Sequence, residues 1–447
     1  MENMESNTPP QTQPIPPDQT PSSASKLLNY ILTQYSTRPP GSVNESLTIA
    51  QLRGEFQKVC DTVEEEQYKY PSYLTPFKWY FVSIYFIGLM VSGIFTPLGM
   101  MIIALLGVLI YWVIYDIQFN FIDRILPGTS TLNLFSMINC TDLEHTATEK
   151  TLLFVGHIND MRKDSGVLYH LTAKIMHFAV YFFALVVFVG YIVGLFTNNY
   201  IVLPAVSIAS TVVLFFVMTL YFTGKKNRVS GLATAVCLTQ LAQQVKESSV
   251  SLLDSTNVGF LVTTNYNERH SGIRAFIRAH SKDERLKPEK TLVVCLDELD
   301  DSETLTCYKR EGFIKYSTNL YNLIKDAAES EGISIGNVAN YIHQPFSFAE
   351  EFGWKYQGVV PITAKCRSVK RKAREAKEKE AKDDVGVICI HDDQIKCIND
   401  TTKLLWRLAR VIDNSAEGSK IPVKTIPLPK PSIEQPTNFV GDSPIVL

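Results

Sequence analysis

Residues 79–115 read WYFVSIYFIGLMVSGIFTPLGMMIIALLGVLIYWVIY, 37 residues with no Asp, Glu, Lys or Arg, and residues 175–224 run a further 50 without one. A bilayer core about 30 Å thick takes roughly 20 helical residues to cross, so each block is long enough to cross and return. Ile94-Phe-Thr-Pro-Leu-Gly99 interrupts the first block and Phe196-Thr-Asn-Asn-Tyr200 the second. Pro ends a helix, and Gly and Asn accept turn geometry, so each break has a backbone cause. These features predict an α-helical membrane protein with two transmembrane hairpins (77–116 and 175–224) and four passes, over about 78–95, 98–116, 175–196 and 200–222. The first hairpin is short enough that a wedge in one leaflet is the alternative.

Charge placement sets the expected orientation. All 43 Lys and Arg lie outside the two predicted turns, and Lys78, Lys163, Lys174, Lys225, Lys226 and Arg228 crowd the membrane ends, where the positive-inside bias is counted. Both termini are therefore expected in the cytosol, on an endomembrane such as the endoplasmic reticulum. The eight cysteines fall on the same face, where a reducing compartment keeps them as thiols. The sequons at Asn44, Asn139 and Asn399 are expected to stay unmodified there. A net charge of −2 offers no basic surface for nucleic acid.

Composition divides the remainder. Residues 1–45 are rich in Pro, Gln, Thr and Ser, predicting a disordered leader with no cleaved signal. Residues 413–447, with Pro422, Pro427, Pro429, Pro431, Pro436 and Pro444, predict an extended, disordered arm. Within 46–76, Leu47, Leu52, Phe56, Val59 and Val63 recur at helical spacing behind Thr48, predicting an amphipathic cytosolic helix with Thr48 as its N-cap. Residues 117–174 are expected to connect the hairpins and to carry a helix over 143–161. Residues 225–412 are expected to form a cytosolic domain. In it a helix over 232–253 precedes apolar runs at 258–264, 291–296, 358–363 and 385–390, which alternate with helical stretches near 268–286, 316–331 and 395–412. Continuous Val/Ile/Leu runs between helices predict a covered, largely parallel sheet, hence α/β, with α+β as the alternative. The alternating charges of 367–383, with Glu375 to Lys379 and Glu378 to Lys382 at i,i+4, predict an exposed helix.

Inside the predicted passes only His177 is ionisable, which argues against a channel or carrier. Gly190 and Gly194 form a Gly-x-x-x-Gly suited to self-association or to packing among the passes. In the soluble region, Leu292-Val-Val-Cys-Leu-Asp-Glu-Leu-Asp-Asp301 looks like the second metal-binding motif of P-loop nucleotide hydrolases, in which an apolar strand delivers Asp297 and Glu298 to magnesium. The Gly-x-x-x-x-Gly-Lys-Ser/Thr loop that cradles the phosphates is missing, so a nucleotide hydrolase is excluded. Val387-Ile-Cys-Ile-His-Asp-Asp393 also ends an apolar run in His391, Asp392 and Asp393. Ligands of open parallel sheets lie at the carboxyl ends of strands, so Asp297, Glu298, Asp392 and Asp393 are the candidate metal ligands, for magnesium with its waters. The competing reading makes them caps of the helices that follow. No Gly-x-Ser-x-Gly, His-Glu-x-x-His or Cys-x-x-Cys occurs, and Cys389, His391 and Cys397 lack the spacing of a zinc finger. No catalytic residue is named.

Two long hairpins, a polar segment between them and soluble parts on one face resemble the layout of reticulon-type membrane-shaping proteins over residues 77–224. The resemblance implies hairpins that act as wedges. The function expected is non-enzymatic and without cofactor: hairpins that anchor and shape the lipid bilayer, and a region, 225–447, that recruits cytosolic or membrane proteins. The alternative is a membrane-tethered, metal-dependent enzyme with its acids at strand ends.

Overall fold

A computed structural model describes residues 24–35, 38, 41–70, 74–112, 128–140, 150–158, 160–164, 167–200, 202–223, 226–247, 253, 255–264, 270–301, 303, 305–311, 314–340, 347–364 and 392–416. In chain order its elements begin with α1 (Ala24–Gln34), α2 (Val43–Gln57), β1 (Thr62–Tyr70), α3 (Leu74–Phe95), α4 (Pro97–Tyr111), β2 (Thr129–Ile138), β3 (Lys150–His157) and β4 (Asp160–Asp164). Then come α5 (Val167–Thr197), α6 (Val202–Thr223), β5 (Lys226–Ser230), α7 (Leu232–Glu247), β6 (Thr256–Thr263), α8 (Ser271–Ala279) and β7 (Thr291–Leu299). The last are β8 (Leu305–Glu311), β9 (Ile314–Lys315), α9 (Thr318–Ser330), β10 (Gly336–Asn340), α10 (Ala349–Gly353), β11 (Gly358–Ala364) and α11 (Asp392–Ala416).

The apolar runs in β3, β6, β7 and β11 have no polar alternation, as strands covered on both faces require. They pair in parallel in the order β6-β3-β7-β11. Antiparallel neighbours extend both sides: β2 and then β1 beyond β6, and β8 beyond β11, with β10 and β9 flanking β8, giving a nine-stranded mixed sheet. One face packs under α1, α2, α7, α9 and α11, against Leu152, Phe154, Phe260, Val294 and Leu296. The other packs under α8 and α10, against Phe135, Leu153, Val155, Val293 and Cys295. Each fully buried Leu or Phe contributes roughly 1.5–3 kcal/mol.

β3 lies between β6 and β7. The chain leaves β3, returns beside it as β6 after α7 on one face, then crosses to the opposite flank as β7 after α8 on the other face. That reversal is a topological switch point at the carboxyl end of β3, the place where open α/β sheets bind ligands.

This architecture corrects the expected fold of four membrane passes followed by a separate cytosolic domain. β1, β2 and β3 come from residues before and between the apolar blocks, so the α/β sheet is not confined to 225–412. The first block is the connection between two paired neighbours, with Tyr70 opposite Thr129, and the second is held at its base by β4 paired with β5. Among the described residues one helical stretch, Phe178–Thr197, is long and apolar enough to cross a membrane; Tyr80–Ser92, Pro97–Tyr111 and Leu203–Val213 are shorter. α4, with 15 residues, is about 22 Å long against a hydrocarbon core of roughly 30 Å.

Helices α3 to α6 pack on one another through Val82, Phe86, Leu89, Ala104, Val187 and Val206. Tyr85 donates its hydroxyl to the Val180 carbonyl at 3.2 Å, and Ser207 to that of Met90 at 2.7 Å. Gly194 is closed against the Tyr200 ring of the same chain, where a Cβ would meet it at 2.2 Å.

Several local expectations change as well. Within the helix expected over 143–161, Lys150–His157 forms β3, because Leu152 to Val155 is an unbroken buried run rather than one face of a helix, and residues 143–149 and 159 lie outside the described residues. α2 starts earlier than expected, capped by Ser42 rather than Thr48, and Val59 and Val63 lie beyond it. The predicted leader contains α1, whose Leu27, Leu28 and Ile31 are core residues. Residues 1–23, the charged run at 367–383, the apolar run at 385–390, His391 and the arm beyond 416 lie outside the described residues.

Candidate active site

His157 is the last residue of β3 and is fully buried. Its backbone N–H donates to Thr234 Oγ1 at 2.9 Å in the first turn of α7, and the same oxygen lies 3.1 Å from its carbonyl. Gly156 permits this approach, since a Cβ there would meet Thr234 Oγ1 at 2.9 Å and Leu238 at 3.1 Å. The imidazole lies edge-on to Phe348, 5.8 Å between centroids, and its Nε2 is 2.6 Å from the Asp297 carbonyl. A carbonyl only accepts, so Nε2 carries the proton in this contact.

On β7 the pairing with β11 slips by one residue, so that Ile362 is opposite Leu296 while Ala364 is opposite Leu299. Asp297 and Glu298 together face the single Thr363. Strict alternation would send Glu298 to the opposite face, whereas a bulge re-aims side chains. Leu299 returns to the cluster of Val294 and Leu296, so the slip keeps both carboxylates on the face of Val155 and His157. His157, Asp297 and Glu298 are all buried. Ionisable groups held away from water are costly and mark candidate functional sites.

More acids line this face. Glu311 at the end of β8 is buried and accepts from the Tyr316 hydroxyl at 2.6 Å and from the Ser347 hydroxyl and N–H. Burial and the adjacent Glu311 raise the Tyr316 phenol, which keeps its proton and donates it. Glu350, at the start of α10, has its carboxyl pushed up to about 7 by burial and by the charges of Glu351 and Glu311, against the opposing pull of Arg274. Arg274 itself bonds Glu351, its Nε at 2.8 Å. Cys295 is raised well above the usual thiol range by burial and by Asp297 and Glu311, which makes it an unreactive core residue rather than a nucleophile.

Of the four expected ligands, Asp297 and Glu298 lie on the sheet face of His157, whose Nε2 meets the Asp297 backbone carbonyl. Asp392 and Asp393 are exposed in the first turn of α11, where they complement the helix dipole. That helix meets the end of β7 through Gln394, whose Nε2 donates to the Leu299 carbonyl at 3.3 Å. Cys397 is buried in the same helix, its thiol raised by burial. Sequence reasoning missed His157, Glu311 and Glu350. For His157 the available signal was the apolar run Leu152 to Val155 ending in a histidine.

His157, Asp297 and Glu298 offer imidazole nitrogen and carboxylate oxygen, donor types that suit zinc, and carboxylates alone suit magnesium. They fit a divalent cation in chemistry and in shared face. Among the described residues, however, the three donors gathered within 4.8 Å of one another are Glu64, Glu66 and His280, elsewhere on the sheet.

No family model and no curated protein matches the chain. Solved structures do overlap it over most of its length. A glutaminyl cyclase from an Acidobacteriales bacterium is 12% identical, covering 90% of this chain and 100% of its own, at a TM-score of 0.40. A leucine aminopeptidase precursor from Bacteroides thetaiotaomicron is 8% identical, covering 87% and 96%, at 0.43. A Zn-dependent exopeptidase from Parabacteroides distasonis is 7% identical, covering 87% and 97%, at 0.41. The expected non-enzymatic, membrane-shaping scaffold is corrected here. The segments expected merely to flank and connect two wedges are instead strands of one sheet with a buried His and acids at its carboxyl edge.

Proposed function

We propose that this chain is a metal-dependent enzyme of the hydrolytic class, with its reaction centre at the carboxyl ends of β3 and β7. The observation that carries this reading is the one-residue slip between β7 and β11, which holds Asp297 and Glu298 on the face of His157 at the topological switch point. In this reading His157, Asp297 and Glu298 hold a divalent cation of the zinc or magnesium class. Bound there, such a cation supplies a Lewis acid and a water acidified toward neutral pH. Glu350 is the proton carrier, because a carboxyl that titrates near 7 both takes and returns a proton at physiological pH. Phe348 excludes water from the His157 ring and fixes its plane. The apolar stretch Phe178–Thr197, with Phe178, Leu185 and Phe196 exposed, is read as a tether to a lipid bilayer.

The test is metal analysis of the purified chain together with hydrolysis of fluorogenic aminoacyl amides. Asp297→Asn is expected to lower turnover at least ~100-fold while the fold is retained. Unchanged turnover in that variant, or no metal-dependent turnover in the parent chain, refutes the assignment.

A further inference from the structure

β1 is an edge strand, and its alternation puts Glu64, Glu66 and Tyr68 on the face covered by α8, while Glu65 turns the other way to Arg53. His280 follows α8 as its C-cap. Its ring is set between Phe135 and Phe276, with centroids at 5.0 and 4.6 Å, so packing fixes its plane. Nε2 meets a carboxylate oxygen of Glu66, and Nδ1 faces Asp283 Oδ2 at 3.6 Å. One ligand atom each from Glu64, Glu66 and His280 lies within 4.8 Å of the others.

A simple ion pair accounts for only part of this arrangement. A protonated His280 offsets one carboxylate, and Asp283 is already engaged by Arg285 at 3.0 Å. Glu64 and Glu66 then remain as like charges drawn together. The second oxygen of Glu66 is enclosed and accepts no hydrogen bond among the described residues. An enclosed acceptor without a donor is unfavourable, and a divalent cation between the two carboxylates and the imidazole relieves both the repulsion and the missing partner. One nitrogen and two carboxylate oxygens, with room for water at the exposed Glu64 side, match the donor set of zinc. Asp283 stands where the carboxylate behind a metal-bound histidine stands, on the ring nitrogen away from the metal.

We propose that Glu64, Glu66 and His280 form a binding site for a zinc-class divalent cation that joins edge strand β1 to the end of α8, with Asp283 orienting the histidine. The site is separate from the candidate active site, with β2 and β6 between β1 and β3. The experiment is a calorimetric titration of the full-length, EDTA-stripped chain with zinc chloride, repeated for Asp297→Asn, Glu66→Gln and Glu64→Gln, with thermal unfolding of each with and without zinc. The parent chain and Asp297→Asn are expected to keep a zinc equivalent that raises the unfolding temperature. Glu66→Gln and Glu64→Gln are expected to lose that equivalent or to bind it at least tenfold more weakly. Glu64 is exposed, so its variant keeps the test decisive if Glu66→Gln does not fold. Parent-like zinc binding in both glutamine variants, or no zinc bound by Asp297→Asn, overturns the proposal. Failure of the hydrolase reading is recognised separately, as retained turnover in Asp297→Asn.

Discussion

Glu350 carries the clearest electrostatic consequence of a single residue. Its carboxyl is raised from 4.5 to about 7, so the native state holds its proton more tightly than the unfolded chain does. The stability this provides is fully present below pH 4.5 and is lost as pH rises through about 7. Glutamine imitates the protonated form. Glu350→Gln is therefore expected to flatten the stability profile between those values and to be more stable than the parent at pH 8, by on the order of 3 kcal/mol, as urea unfolding across pH would show. A parent-like profile would mean that Glu350 titrates normally. His280 shows the opposing forces at one ring: burial lowers its pKa, while the bond to Glu66 and the charges of Glu66, Asp283 and Glu64 raise it further, for a net upward direction. The legibility of these residues in the sequence was uneven. Asp297 stood out because acids ending an apolar run are unusual. Glu350 did not, because its pKa arises first from burial, then from its neighbour Glu351 and from Glu311 and Arg274, and the burial, Glu311 and Arg274 reach it only in the fold.

At the scale of elements, boundaries were harder to read than cores. The runs inside β6, β7 and β11 announce themselves as strands because every position is apolar, and α9 does so through Leu320, Ile324, Ala327 and Ala328 at helical spacing. α2 was misplaced because its start depends on a cap rather than on periodicity. Ser42 accepts from the Glu45 N–H at 3.2 Å, while Glu45 reaches back to the Gly41 N–H and across to Thr131 on β2. The Ser42 bond is one half of a capping box, visible as Ser42-x-x-Glu45, while the Glu45 carboxylate takes the N–H of Gly41 in place of that of Ser42. Ser42→Ala is expected to cost about 1 kcal/mol in thermal or urea unfolding. A loss well below that would show that tertiary packing of Ile49, Leu52 and Phe56 alone holds the helix. The β3 segment suits a helix as well as a strand by sequence, because Leu152, Leu153 and Val155 also fit a helical face and a short apolar run carries no period of its own.

For the whole molecule, the apolar blocks are insertions in an α/β sheet. β1 and β2 pair residue for residue from Thr62 opposite Met137 to Tyr70 opposite Thr129, so the chain between their facing ends is not needed to set their register. Replacing residues 74–112 by a short Gly/Ser linker is therefore expected to leave the sheet folded, with far-ultraviolet dichroism and a single cooperative unfolding transition retained. Loss of that transition would show that packing among α3 to α6 is required for the sheet to form. The same insertions hide the sheet in the sequence. The β1, β2 and β3 segments are separated from their sheet partners by the most conspicuous composition in the chain.

The sequence alone determined what depends on neighbours along the chain: two charge-free helical blocks with their breaks, the apolar strands β6, β7 and β11, and an acidic end to β7. Only the tertiary structure decided that β3 lies between β6 and β7, that a one-residue slip puts Asp297 and Glu298 on the sheet face of His157, and that Glu64 and Glu66 meet His280. The physical reason is that strand partners, sheet register and helix cover are chosen by burial between segments hundreds of residues apart in some cases, as between Glu66 and His280. No local period encodes that choice.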